Sequence, residues 1–118
     1  MEFGCNVAGS KLVVVLGHSK CGALKGGLDS AQIEDLGMDN LNHLIGHFNP
    51  IINEIIEDGE ERSSSNTDLL ERLNHHNVKN AIDEIRKQSS TLRNLENEGK
   101  IKIIGANYDV ETGVVSWL

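Results

Sequence analysis

One uninterrupted apolar run constrains this chain most. Leu12-Val13-Val14-Val15-Leu16 stops at Gly17, and a second strand-like segment, Ile101-Lys102-Ile103-Ile104-Gly105-Ala106, lies near the other end of the sequence. A run of β-branched and apolar residues without alternation predicts a strand buried on both faces of a parallel sheet. Parallel strands cannot be joined by a tight turn, so residues 17 to 100 must form a crossover, which is right-handed in nearly all such units. Glu111-Thr112-Gly113 is a turn signal before Val114 to Leu118, so the chain should close with an antiparallel hairpin at the sheet edge. The expected fold class is therefore α/β: a short parallel sheet flanked by helices, with a C-terminal antiparallel hairpin, in a single domain over residues 1 to 118.

The crossover itself reads as helical. Leu41, Leu44, Ile45, Phe48, Ile51, Ile52, Ile55 and Ile56 recur at three- and four-residue spacing, and Pro50 should split that stretch into two helices. A polar segment from Asp58 to Ser65 follows. Asn66 or Thr67 can cap the longest helix, which presents Leu69, Leu70, Leu73, Val78, Ile82 and Ile85. Ser89 or Ser90 can cap a further helix that ends at Gly99. At the start, Met1 to Ala8 reads as a helix stopping at Gly9. After the first strand, a short helix is expected from about Lys20 to Leu24, with Gly26-Gly27 as its stop.

Charge and composition narrow the function classes. Eighteen acidic against eleven basic side chains give a net charge of −7, the wrong sign for neutralising phosphates, so nucleic acid is not expected as a partner. No apolar run approaches the roughly 20 residues needed to span a bilayer. The N-terminus lacks the pattern of a secretory signal, and cytoplasm is the default compartment, although a leader cleaved from a precursor would leave no trace. Cys5 and Cys21 could pair on arithmetic alone.

Chemistry concentrates at Gly17-His18-Ser19-Lys20-Cys21-Gly22. Zinc favours imidazole and thiolate ligands in tetrahedral arrangement, and a catalytic site uses three protein ligands and one open position. His18 and Cys21 supply two such donors, three residues apart, at the carboxyl end of the first strand, where open α/β sheets bind their ligands. A helix beginning near Lys20 would favour the thiolate form of Cys21. As a bare pattern, His-x-x-Cys also occurs in structural roles, and the surrounding residues decide between the readings.

Those surroundings resemble the β-class carbonic anhydrases. The segment Leu12 to Ala23 is similar, nearly residue for residue, to that family's strand and second ligand motif. Met1-Glu2-Phe3 resembles the end of the preceding helix, and Asn77-Val78 the start of the long helix. Ile85-Arg86 with Ser89-Ser90-Thr91-Leu92 resembles the helix junction, and Gly99 to Leu118 the final strand, Tyr-Asp turn and hairpin. The resemblance implies Zn2+ as cofactor, His18 and Cys21 as the second and third zinc ligands, and reversible hydration of carbon dioxide to bicarbonate. It places the whole chain against the C-terminal two-thirds of a family member, with a truncated sheet as the expectation. The family's first-ligand motif, Cys-x-Asp-x-Arg, and the Arg-Asn-Ala-Gly segment after it have no counterpart here.

Two expectations follow. With two protein ligands the chain should bind zinc weakly and be weakly active or inactive. The bare edge and face of the first strand should drive self-association to a dimer or higher oligomer. The functional alternatives are a non-catalytic zinc-binding or assembly module derived from a β-carbonic anhydrase, and a zinc enzyme acting on a carbon-sulfur analogue of carbon dioxide. Elsewhere the simpler readings are preferred. Cys5 looks like a buried helix position, His43 and His47 like an exposed helix face, His75-His76 like solvated positions, and Asp109 like the acceptor of an Asx turn.

Overall fold

The computed structural model describes every residue except Asp35. Its elements are α1 (Glu2–Asn6), β1 (Leu12–His18), α2 (Gly22–Leu28), α3 (Ser30–Glu34), α4 (Asp39–Gly46), α5 (Asn49–Ile55), α6 (Thr67–Gln88), α7 (Ser90–Asn97), β2 (Lys102–Tyr108) and β3 (Val115–Trp117). None of the described helices is long and apolar enough to cross a membrane. The chain forms two compact units: residues 1–17 with 78–118, and residues 18–77.

The first unit holds a three-stranded sheet in the order β1-β2-β3. Lys102 N–H donates to Lys11 O at 3.0 Å, so β1 and β2 begin side by side, as only a parallel pair does. β3 returns antiparallel to β2, with Ala106 opposite Trp117 and Tyr108 opposite Val115. The turn between them is closed by Asp109, whose Oδ1 accepts from Glu111 N–H at 2.8 Å and Thr112 N–H at 3.1 Å, the Asx arrangement read from the sequence. Val78 and Ile82 of α6, Leu92 of α7 and Cys5 of α1 pack with Ile101 and Ile103, and with Val13 and Val15 of β1. Helix α6 comes so close to β2 that a Cβ on Gly105 would lie 2.8 Å from Val78 Cγ1.

Burial along β1 corrects the reading of a strand covered on both faces and agrees with the bare face expected of a truncated sheet. Val13 and Val15 turn inward, but Leu12, Val14 and Leu16 on the other face are 50%, 40% and 53% exposed. The run is apolar on both sides, yet the described chain covers only one.

The end of α6 is fastened to α7. Ser89 caps α7 by accepting from Leu92 N–H at 3.1 Å, and its hydroxyl also donates to Glu2 of α1. Arg86 holds Glu96 in a two-point ion pair at 2.8 and 2.9 Å. That guanidinium is the main reason the Glu96 carboxyl sits below its ordinary 4.5.

The second unit is helical. Leu24 and Leu28 of α2, Phe48, Ile51 and Ile52 of the Pro50-initiated α5 and its approach, and Leu69 and Leu73 of α6 form its core. Asn66 caps α6, its Oδ1 accepting from Leu69 N–H at 3.2 Å. Gly26 and Gly27 do not stop α2, which runs on to Leu28. Both are buried where other chain segments press on the helix: an added Cβ would lie 3.1 Å from Ile33 Cδ1 at Gly26 and 2.9 Å from Phe48 Cδ2 at Gly27. Packing space, not helix termination, explains the Gly-Gly pair.

Two measurements check these assignments. In a helix, Gly→Ala gains about 0.5–1 kcal/mol from propensity, whereas overpacking a core costs about 1–3 kcal/mol. Gly27→Ala should therefore lower the urea midpoint, while Gly46→Ala, where an added Cβ meets nothing within 4 Å, should leave it level or raise it. Equal stabilisation by both would refute the close Phe48 contact. The second measurement is acid stability. A depressed carboxylate contributes stability that is fully present above about pH 4.5 and is lost as pH falls through its folded value. Glu96→Gln should cost about 0.5–1 kcal/mol at pH 7, as water screens this partly exposed pair, and should flatten the decline in stability below pH 4.5.

Candidate metal centre

The site is built on the turn between β1 and α2. β1 ends at His18, residues Ser19 and Lys20 turn, and Cys21 is the N-cap of α2 in extended conformation, with φ −60° and ψ 118°. Helix α2 thus starts at Gly22, not near Lys20 as the sequence suggested. Lys20 is the only non-glycine residue at positive φ among those described, at 58°. Left-handed backbone is unfavourable for a side chain bearing a Cβ, so the surrounding structure holds the turn in this shape.

Each donor is prepared differently. The His18 side chain is exposed, and its Nδ1 lies 3.0 Å from the Ser19 carbonyl oxygen. A carbonyl can only accept, so Nδ1 carries the hydrogen, and the neutral ring in this tautomer has its lone pair on Nε2. A backbone carbonyl fixing the tautomer in this way is a common second partner of metal-binding histidines. Cys21 is half-buried, a free thiol, and its side chain rests against the core of Leu24, Leu28 and Phe48. Its position is therefore set by α2, and α2 is set by what packs under it.

Part of that support was not anticipated from the sequence. Arg62, in the polar segment before α6, donates through Nη2 to Gly27 O at 2.8 Å, Ser30 Oγ at 3.0 Å and Asn49 Oδ1 at 2.6 Å. It satisfies a carbonyl at the end of α2 and ties the loop to α3 and α5. Ser64 N–H donates to Asp29 Oδ1 at 2.8 Å beside it. A single arginine among acidic and serine residues carries no periodic signal, so only the folded arrangement identifies this role. Behind the loop, Glu60 pairs with Arg72 at 2.6 Å, and a backbone bond from Glu57 together with Arg72 holds the Glu60 carboxyl below its ordinary 4.5.

The remaining candidates separate from the site. Cys5 is buried, 7% exposed, in the core of the first unit, and both cysteines are free. His43 and His47 meet edge to face, with centroids 5.0 Å apart, on an exposed surface. Among the described residues, no three His, Cys, Asp or Glu side chains gather as a metal site. The donor chemistry of His18 and Cys21 suits zinc, but two donors do not amount to the three that a catalytic zinc site requires.

A parallel strand leading through a His-x-x-Cys turn into a helix, with a hairpin closing the sheet, is the architecture of β-class carbonic anhydrases. The solved structure of the β-carbonic anhydrase CcaA superposes on the whole chain with a TM-score of 0.79 at 19% identity, and this chain covers 55% of that one. The chain thus spans about half the length of the structure it matches. The sequence model of the carbonic anhydrase family matches residues 1–115, and the chain belongs to that family. No curated protein matches it in sequence.

The environments of the two thiols predict a clean chemical difference. Under native conditions, iodoacetamide should modify Cys21 well before the buried Cys5, and both should react in 6 M urea. Mass spectrometry of tryptic peptides reads the order; equal native rates would contradict the burial of Cys5.

Proposed function

We propose that this chain carries part of a carbonic anhydrase zinc centre, with His18 Nε2 and the Cys21 thiolate as its metal donors and carbon dioxide and bicarbonate as the substrates of the completed site. The observation that supports this most is the β1–α2 turn. It leaves the lone pair of His18 on Nε2 and roots Cys21 in the α2 packing, at the strand end where α/β sheets bind ligands. In carbonic anhydrases, bound zinc lowers the pKa of a water toward neutrality, so that hydroxide forms without a strong base.

The residues of this chain position and do not react. The Ser19 carbonyl orients the imidazole, Cys21 brings negative charge to the metal, and Arg62 with the Gly26-Gly27 contacts keeps α2, and so Cys21, in place. With two donors, zinc is held weakly and water activation is incomplete. Hydration of carbon dioxide by the chain alone is accordingly slow or absent. The lack of a third grouped donor among the described residues equally favours the second reading, a zinc-binding or assembly module without catalysis. The exposed Leu12, Val14 and Leu16 of β1 support self-association in either case.

Competition with a chromophoric chelator tests the donors. His18→Ala and Cys21→Ser should each weaken zinc binding by more than the roughly 10- to 100-fold that loss of a ligand's outer partner costs, without changing the stability of the metal-free protein by more than about 1 kcal/mol. Stopped-flow hydration by the zinc-loaded chain should stay close to the uncatalysed rate. A variant pair that binds zinc as tightly as the wild type, or rapid hydration by the unmodified chain, would overturn the proposal.

A further inference from the structure

Asp58-Gly59 is the one place in the chain where an aspartate or asparagine precedes glycine. Both residues are exposed, in the segment between α5 and α6. Glu60 N–H donates to Glu57 O at 3.0 Å, Gly59 has a φ of 80°, and Asp58 is not at positive φ, so residues 57 to 60 form a type II turn with glycine in its third position. The bond that closes this turn uses the Glu60 amide and not that of Gly59. A Cβ on Gly59 would meet nothing within 4 Å, so no packed side chain crowds the Asp58-Gly59 peptide. Other aspartates are restrained. Asp29 precedes Ser30, but its Oδ1 accepts from Ser64 N–H at 2.8 Å. Asp109 Oδ1 accepts from two amides, and the next residue is the β-branched Val110.

We infer that Asp58 is a site of spontaneous main-chain isomerisation, in which the Gly59 nitrogen attacks Asp58 Cγ and the resulting cyclic imide reopens as isoaspartate. This is independent of the proposed metal binding. The new C–N bond replaces a carboxyl C–O bond, and the oxygen leaves as water with the amide proton and one proton from solvent. Water then breaks the bond between Gly59 N and the main-chain carbonyl carbon of Asp58. The chain now runs through Cβ and Cγ, and the former carbonyl becomes a free carboxylate. Glycine favours the attack because no Cβ stands beside the attacking nitrogen.

The surrounding bonds give this change a structural consequence. One extra methylene lengthens the main chain by about 1.5 Å between Glu57 and Glu60, which are joined both by the turn and by Glu57 N–H donating to Glu60 Oε2 at 3.0 Å. Arg72 Nη2 donates to Glu60 Oε1 and Oε2 at 2.7 and 2.6 Å, and the side-chain amide of Asn66, the cap of α6, donates to Oε1 at 3.1 Å. Isomerisation displaces Glu60 from these partners and loosens the start of α6.

Ageing the full chain for several weeks in warm neutral buffer tests this. Mass spectrometry of the tryptic peptide of residues 26–62 should show a species one water lighter, followed by a product of the original mass. A protein isoaspartate methyltransferase should label that product, and electron-transfer fragmentation should assign it to position 58. Asp58→Glu keeps the charge but needs a larger ring that closes far more slowly, so the product should be lost. Asp58→Asn, which expels ammonia in place of water, should form it faster. The isomer, separated by ion exchange, should unfold at lower urea than the unmodified chain, and in Glu60→Ala that difference should vanish. Product absent from the folded chain while the urea-unfolded chain isomerises, or product undiminished in Asp58→Glu, would overturn the assignment. An isomer as stable as the unmodified chain would overturn the link to Glu60.

Discussion

Helix α6 lends Leu69 and Leu73 to one apolar cluster and Val78 and Ile82 to the other, and α1, β1, α2, α5, α7 and β2 each contribute to one of these two sets. Its 22 residues are far longer than the one or two turns of most other helices here, and short helices are not stable without a partner face. In the first unit, α6 meets β2 where Gly105 has no side chain to hold them apart. In the second, Leu69 and Leu73 complete the core against which α2 lies. Loss of that stripe would leave the sheet without a covered face and α2 without a floor.

The β1–α2 turn inherits part of its geometry from that floor. Cys21 is fixed because α2 is fixed, and α2 is held by Phe48 against Gly27 and by the Arg62 guanidinium on the Gly27 carbonyl. His18 depends on less: the end of β1, the left-handed turn at Lys20 and one bond to the Ser19 carbonyl. Cys21 is therefore anchored, and His18 is the more accessible of the two.

Much of this was legible in the sequence. The runs at Leu12 to Leu16 and Ile101 to Ala106, the helical spacing of Leu69 to Ile85, the caps at Asn66 and Ser89, and the turn at Asp109 follow from local chemistry that acts within a few residues, and each stands where the pattern placed it. The turn that carries His18 and Cys21 also follows β1 where the pattern placed it, while their reading as zinc ligands rests on the resemblance to the family. Gly26-Gly27 misled because glycine has two uses, and only the approach of Phe48 and Ile45 distinguishes a packing glycine from a helix stop.

The sequence by itself determined the order of strands and helices and the family, because periodicity, capping and motif spacing are properties of neighbours along the chain. Tertiary structure alone decided that Val13 and Val15 turn to the covered face of β1 while Leu12, Val14 and Leu16 take the open one, that Arg62 fastens α2, and that Gly26 and Gly27 lie under Ile33, Ile45 and Phe48. Those outcomes depend on which distant segments come to cover a face or approach a site, and a run of apolar residues records only that a face can be covered, not whether the chain supplies the cover.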